Sequence, residues 1–69
     1  MSNPNQYFET KIQTAMETGD ARLAGEVCDQ MRGAGLSYNA QANLVSRLGY
    51  DVPDWDVLLF EADNLDERG

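Results

Sequence analysis

Histidine is absent from this 69-residue chain, and Cys28 is its one cysteine. No internal disulfide can form, and the Cys and His sets that usually hold zinc cannot be assembled. Acid–base or nucleophilic catalysis would need a histidine or another base near a nucleophile, and no such arrangement or glycine-rich phosphate loop is present. Asp51, Asp54 and Asp56 lack the loop glycine and closing glutamate of an EF-hand. The chain therefore reads as non-enzymatic, with no metal and no cofactor. No apolar run approaches the roughly 18 residues that span a bilayer. The opening Met-Ser-Asn-Pro-Asn-Gln lacks the basic start and apolar stretch of an export leader. With a lone thiol, this leads to the expectation of a cytoplasmic protein. Basic residues are scarce too, five Lys and Arg against twelve Asp and Glu, for a net charge of −7. Phosphate binding depends on cations, so neither nucleic acid nor an anionic membrane is expected as a direct partner. A protein with a basic surface is the physical complement.

The acids that are present are unevenly placed. Residues 1–50 hold five (Glu9, Glu17, Asp20, Glu26, Asp29) against four bases (Lys11, Arg22, Arg32, Arg47), a charge of −1. Residues 51–69 hold seven (Asp51, Asp54, Asp56, Glu61, Asp63, Asp66, Glu67) against Arg68, a charge of −6. Interleaved with these acids are Val52, Trp55, Val57, Leu58, Leu59, Phe60 and Leu65. Residues 1–69 fit a single small domain, which buries only about 60% of the surface its unfolded chain exposes. Chains this short lean on regular helix packing or self-association, so a homodimer is an expectation as well.

Capping and stop signals divide the chain into four helices. Asn3 can cap the first, with Pro4 at its first position and Gln6 where a capping-box partner reaches back. That helix should run from Pro4 to about Thr18, bury Phe8, Ile12, Ala15 and Met16, and stop at Gly19. Asp20 caps a second helix with Leu23, Ala24, Val27, Cys28 and Met31 inward, ended by Gly33 and Gly35. Ser37 caps a third with Tyr38, Leu44, Val45 and Leu48 inward, closed by Gly49. Asp51, with Pro53 in the first turn, opens a fourth that should fade near Leu65, and acids in its first turn complement the helix dipole. Loops of a few residues favour antiparallel neighbours. The expected fold is all-α: a compact bundle of about four short helices arranged as two helical hairpins. Cys28, on an inner stripe, reads as a small apolar filler. Tyr7, Tyr38 and Tyr50 read as half-buried amphipathic fillers.

The fourth helix carries the functional signal. At about 100° per residue, Trp55, Leu58, Leu59, Ala62 and Leu65 form one inward stripe. Val57 and Phe60 point elsewhere, onto a surface shared with Asp56, Asp63 and Glu67 and flanked by Glu61. Apolar anchors inside a polar rim describe a protein-binding site. Two other arrangements stay open at this level: Val57 and Phe60 packing on the first helix behind an ordinary solvated acidic face, or self-association through Phe60.

From Tyr7 to about Leu44 the chain resembles a pentatricopeptide-type helical hairpin. The stretch Thr18-Gly-Asp-Ala-Arg-Leu-Ala-Gly-Glu-Val-Cys-Asp-Gln-Met-Arg-Gly-Ala-Gly-Leu-Ser-Tyr-Asn-Ala carries the likeness, with its turn, its second helix ending in a Met-basic pair and its Gly-Leu-Ser-x-Asn lead-in to the next helix. The resemblance implies antiparallel helices, and in that family arrays of such repeats bind single-stranded RNA. Here there is barely one repeat, Tyr38 replaces the usual proline, and the charge is anionic, so no RNA-contacting residue is carried over. In length, acidity and lack of catalytic motifs the chain is also similar to small acidic phage inhibitors of host machinery, including nucleic-acid mimics. The function expected is a non-enzymatic inhibitor or regulator that docks its acidic C-terminal helix on a basic, nucleic-acid-binding or other, surface of a partner protein. A dimerising structural or adaptor module and an RNA-binding repeat fragment are the alternatives.

Overall fold

Gly19 and Asp20 make the tightest turn in the chain. Gly19 takes a φ of 66°, the left-handed conformation that side chains disfavour. The Asp20 amide then bonds back to the Ala15 carbonyl at 3.0 Å, and the Asp20 carboxylate accepts from the Leu23 amide at 3.1 Å. One residue stops a helix and the next starts another, so the two run antiparallel. The computed structural model describes the backbone of residues 4–68 and the side chains of residues 5–65. The proposed Asn3 cap, and with it the capping box to Gln6, lies outside the described residues.

The architecture is all-α: α1 (Pro4–Thr18), α2 (Ala21–Gly33), α3 (Tyr38–Arg47) and α4 (Val52–Arg68), with no strand among the described residues. No helix is long and apolar enough to cross a membrane among the residues described. Ser37 caps α3, accepting from the Ala40 amide at 3.3 Å. The Asp51 carbonyl accepts from Asp54 and Trp55 at 3.1 and 3.3 Å, starting α4 where Pro53 has no amide to satisfy.

α2 lies at the centre, packed most extensively on α4 and next on α1. α2 and α4 approach closely at Gly25, where an added Cβ would sit 2.8 Å from the Cβ of Ala62. One core draws on all four helices: Phe8, Ile12 and Ala15 from α1, Ala24, Val27 and Met31 from α2, Leu44 and Val45 from α3, Trp55 and Leu58 from α4. Trp55 is fully buried, and its indole N–H meets no acceptor among the described residues. The orphaned donor costs about 1–3 kcal/mol. Burying an indole of roughly 200 Å² returns about 5 kcal/mol, so the ring still stabilises the core.

Three details depart from the sequence expectations. The inner stripe of α3 starts at Gln41, which is 1% exposed, whereas Tyr38 is half exposed. Tyr38 sits one residue past the cap, and its hydroxyl reaches across to donate to Asp56 of α4. α4 continues to Arg68, three charged residues past Leu65 being no obstacle to helix once the core has nucleated it. Leu65 is exposed rather than inward. α4 runs antiparallel to α2, and Leu65 shares a shallow groove with Ala21, the first residue of α2. Leu65 therefore stands level with the edge of α2 rather than beneath it.

Candidate protein-docking face

With Trp55, Leu58 and Ala62 held against the core, helix geometry fixes where the rest of α4 points. Phe60 and Pro53 lie almost opposite the buried stripe, and Val57 and Asn64 lie about 20–40° to one side. Phe60 is 67% exposed and Val57 55%. Val57 shares a groove of about 260 Å³ with Met16, Gly19 and Leu58, yet most of its surface stays in solvent. Packing on α1 therefore does not account for either side chain.

Carboxylates border this apolar ridge on both flanks. Asp56 and Asp63 stand on one side, Asp54 and Glu61 on the other, each row about 80° around the helix from the ridge. All four are exposed. Of the residues expected at the site, Asp56, Val57, Phe60, Glu61 and Asp63 are brought onto one exposed face. Glu67 continues the helix, and its side chain lies outside the described residues. Asp54 joins the face although sequence reasoning placed it only in the first turn as a dipole partner. Its seven-residue spacing from Glu61 was the signal available.

Among the described side chains the bases stand on the other three helices. Lys11 lies over the ring of Tyr7, 5.6 Å from its centroid, on α1. Arg22 and Arg32 belong to α2, and Arg47 ends α3. Among the described residues none of these cations forms an ion pair with a carboxylate, so the surface arginines do not balance neighbouring acids by direct contact.

On the α3 side, the Tyr38 hydroxyl donates to Asp56 Oδ1, and this bond raises the tyrosine pKa by favouring its neutral form. A groove of about 240 Å³ between α2, α3 and α4 begins there, lined by Asp29, Arg32, Tyr38, Gln41 and Asp63 with Cys28 at its floor. Cys28 Sγ donates to Gln41 Oε1 at 3.2 Å, and Gln41 Nε2 donates to the Leu36 carbonyl at 3.4 Å. Burial pushes the Cys28 thiol up; Arg32 opposes this, and Asp29 and Asp63 add to it. A thiol held protonated is a poor nucleophile. Its place here is packing and one hydrogen bond. No group of three or more acidic or cysteine side chains converges as a metal site among the described residues.

No protein-family model, curated protein or solved structure matches the chain at a significant level.

Proposed function

We propose that this chain is a non-enzymatic binding protein that lays the exposed face of α4 on a basic surface of another protein and occludes it. The observation that supports this most is the placement of Val57 and Phe60 in solvent between two carboxylate rows. The acids steer association and weaken with salt, and the apolar anchors, once desolvated, slow release. A surface that otherwise holds nucleic acid fits the same chemistry, with carboxylates standing where phosphates would. In that form the protein is a phage-type inhibitor working in the host cytoplasm.

Exposed Phe60 also favours a second reading, a homodimerising structural module. A two-fold seam through α4 would set the carboxylates of one copy against those of the other, and like charges in apposition are unfavourable. The docking reading is therefore preferred. Affinity capture with the whole chain, washed across a salt series, tests it. A retained protein that elutes with rising salt and is lost by the triple change D56K, E61K and D63K supports the reading. Capture indifferent to both counts against it, and a tight dimer in sedimentation would replace it with the rival.

A further inference from the structure

On the exposed face of α4 the carboxylates recur at seven residues, Asp54 with Glu61 and Asp56 with Asp63, and Val57 and Phe60 supply the apolar part of the ridge between them. Pro53, Val57, Phe60 and Asn64 follow the spacing four, three, four that helices use along a shared seam, the d, a, d and a positions of a heptad. Asp54 and Glu61 then fall at e, and Asp56 and Asp63 at g. All eight side chains are exposed. The domain builds its core from the opposite side of the helix, with Trp55 and Ala62 at f and Leu58 at b. The protein's own packing engages this side only at its flanks, through the Tyr38–Asp56 hydrogen bond and the groove beside Val57, and leaves Phe60 in solvent.

We propose that this face is one half of a heterotypic coiled-coil pairing, whose occupant is an amphipathic helix of another protein with apolar residues at a and d and Lys or Arg at e and g. The assignment rests on the docking reading and specifies the shape of the partner surface that reading leaves open. Charge selects the partner, because e and g positions of paired helices face one another. Four carboxylates disfavour a second copy of α4 and match a helix bearing lysines. Asn64 at an a position favours a polar residue opposite it and so fixes register. From Pro53 to Asn64 the seam is about 17 Å long, short for a coiled coil formed from two unfolded strands. Here α4 is already folded on its core, so only the partner helix loses conformational freedom on pairing.

The test uses the whole chain and three synthetic probes. The first is a helical peptide of about three heptads with Leu at a and d, one Asn at a, and Lys at e and g. The second is the same peptide with Glu at e and g, and the third is an oligolysine of equal charge. Titration calorimetry gives affinities, and amide chemical shifts map the contact. The lysine heptad peptide should bind, with shifts centred on residues 53–64. Phe60→Ala, at a solvent-exposed position, should weaken it by tenfold or more, about the loss of one hot-spot anchor. The double change E61K and D63K should reverse the preference toward the glutamate peptide, and circular dichroism of each variant checks that the fold persists. Failure of the lysine heptad peptide to bind, shifts elsewhere, indifference to Phe60→Ala, or equal affinity for oligolysine would each overturn the seam. If those results coincide with a captured partner that is salt-sensitive and lost on Phe60→Ala, the docking reading survives with a non-helical partner surface. If capture fails as well, both fall.

Discussion

Gly25 and Ala62 meet where α2 passes α4, and the space between them does not admit a methyl group: a Cβ at position 25 would lie 2.8 Å from that of Ala62. Two opposing terms decide what Gly25→Ala does. Alanine gains about 1 kcal/mol of helix propensity. Overpacking against a neighbour that cannot rotate away costs about 1–3 kcal/mol. The expected result is a net loss near 1 kcal/mol in urea denaturation. In an Ala62→Gly background the obstruction is gone, and the same change should become stabilising. A Gly25→Ala effect of equal sign in both backgrounds would show that the close approach is not what matters.

Trp55 supplies the largest fully buried side chain. Truncation of a core tryptophan costs about 3–5 kcal/mol, against a total of roughly 3–10 kcal/mol for a domain of this length. Trp55→Ala should therefore lose most or all of its cooperative thermal transition. Near-normal melting by circular dichroism would contradict the core described here.

Phe8 and Phe60 make a controlled pair, one 6% and the other 67% exposed. Phe8→Ala is expected to cost about 3–5 kcal/mol. Phe60→Ala should stay within about 0.5 kcal/mol of the parent protein, while partner capture collapses. Measured by chemical denaturation, a large loss on Phe60→Ala would place that ring in the fold instead of on a docking face.

Alkaline pH tests the hydroxyl and thiol contacts. Cys28, Tyr38 and Tyr50 all have pKa values raised above their ordinary 9.0 and 10.0. For Cys28 and Tyr50 the leading cause is burial, and Tyr50 also donates to Glu17 Oε2 at 3.2 Å. A raised pKa means that the unfolded chain releases its proton first. The stabilisation is then complete below the ordinary values and is lost as pH climbs through the folded ones. Melting temperature should fall from about pH 9 upward, and Tyr38→Phe should flatten the part of the fall above pH 10. An unchanged slope in that variant would remove the Tyr38–Asp56 bond from consideration.

The helix ends were legible because each rests on one or two residues acting locally. Pro4, Gly19, Asp20 and Ser37 start or stop helices where their own backbone chemistry predicts. Helical phase separates Val57 and Phe60 from Trp55 and Leu58, but phase alone leaves open whether the first helix covers them; their exposure emerges only with the fold. Burial of Gln41 was not legible. A polar residue at the head of an apolar stripe looks like solvent-facing sequence until its two partners, Cys28 and the Leu36 carbonyl, are brought round it. Leu65 matched the apolar phase of α4, but phase says nothing of where the neighbouring helix ends. Gly25 likewise gave no hint that two helices would touch there, because a mid-helix glycine reads only as a propensity loss.

α4 contributes to the interior with one side and is offered to the outside with the other. Any ligand that grips the outer side binds only the folded chain, and by mass action it raises resistance to unfolding by RT ln(1 + [L]/Kd). Unoccupied molecules, with little stability in reserve, open more often and present themselves to proteases. Under the proposed docking, cellular lifetime of the protein should consequently track the supply of its partner.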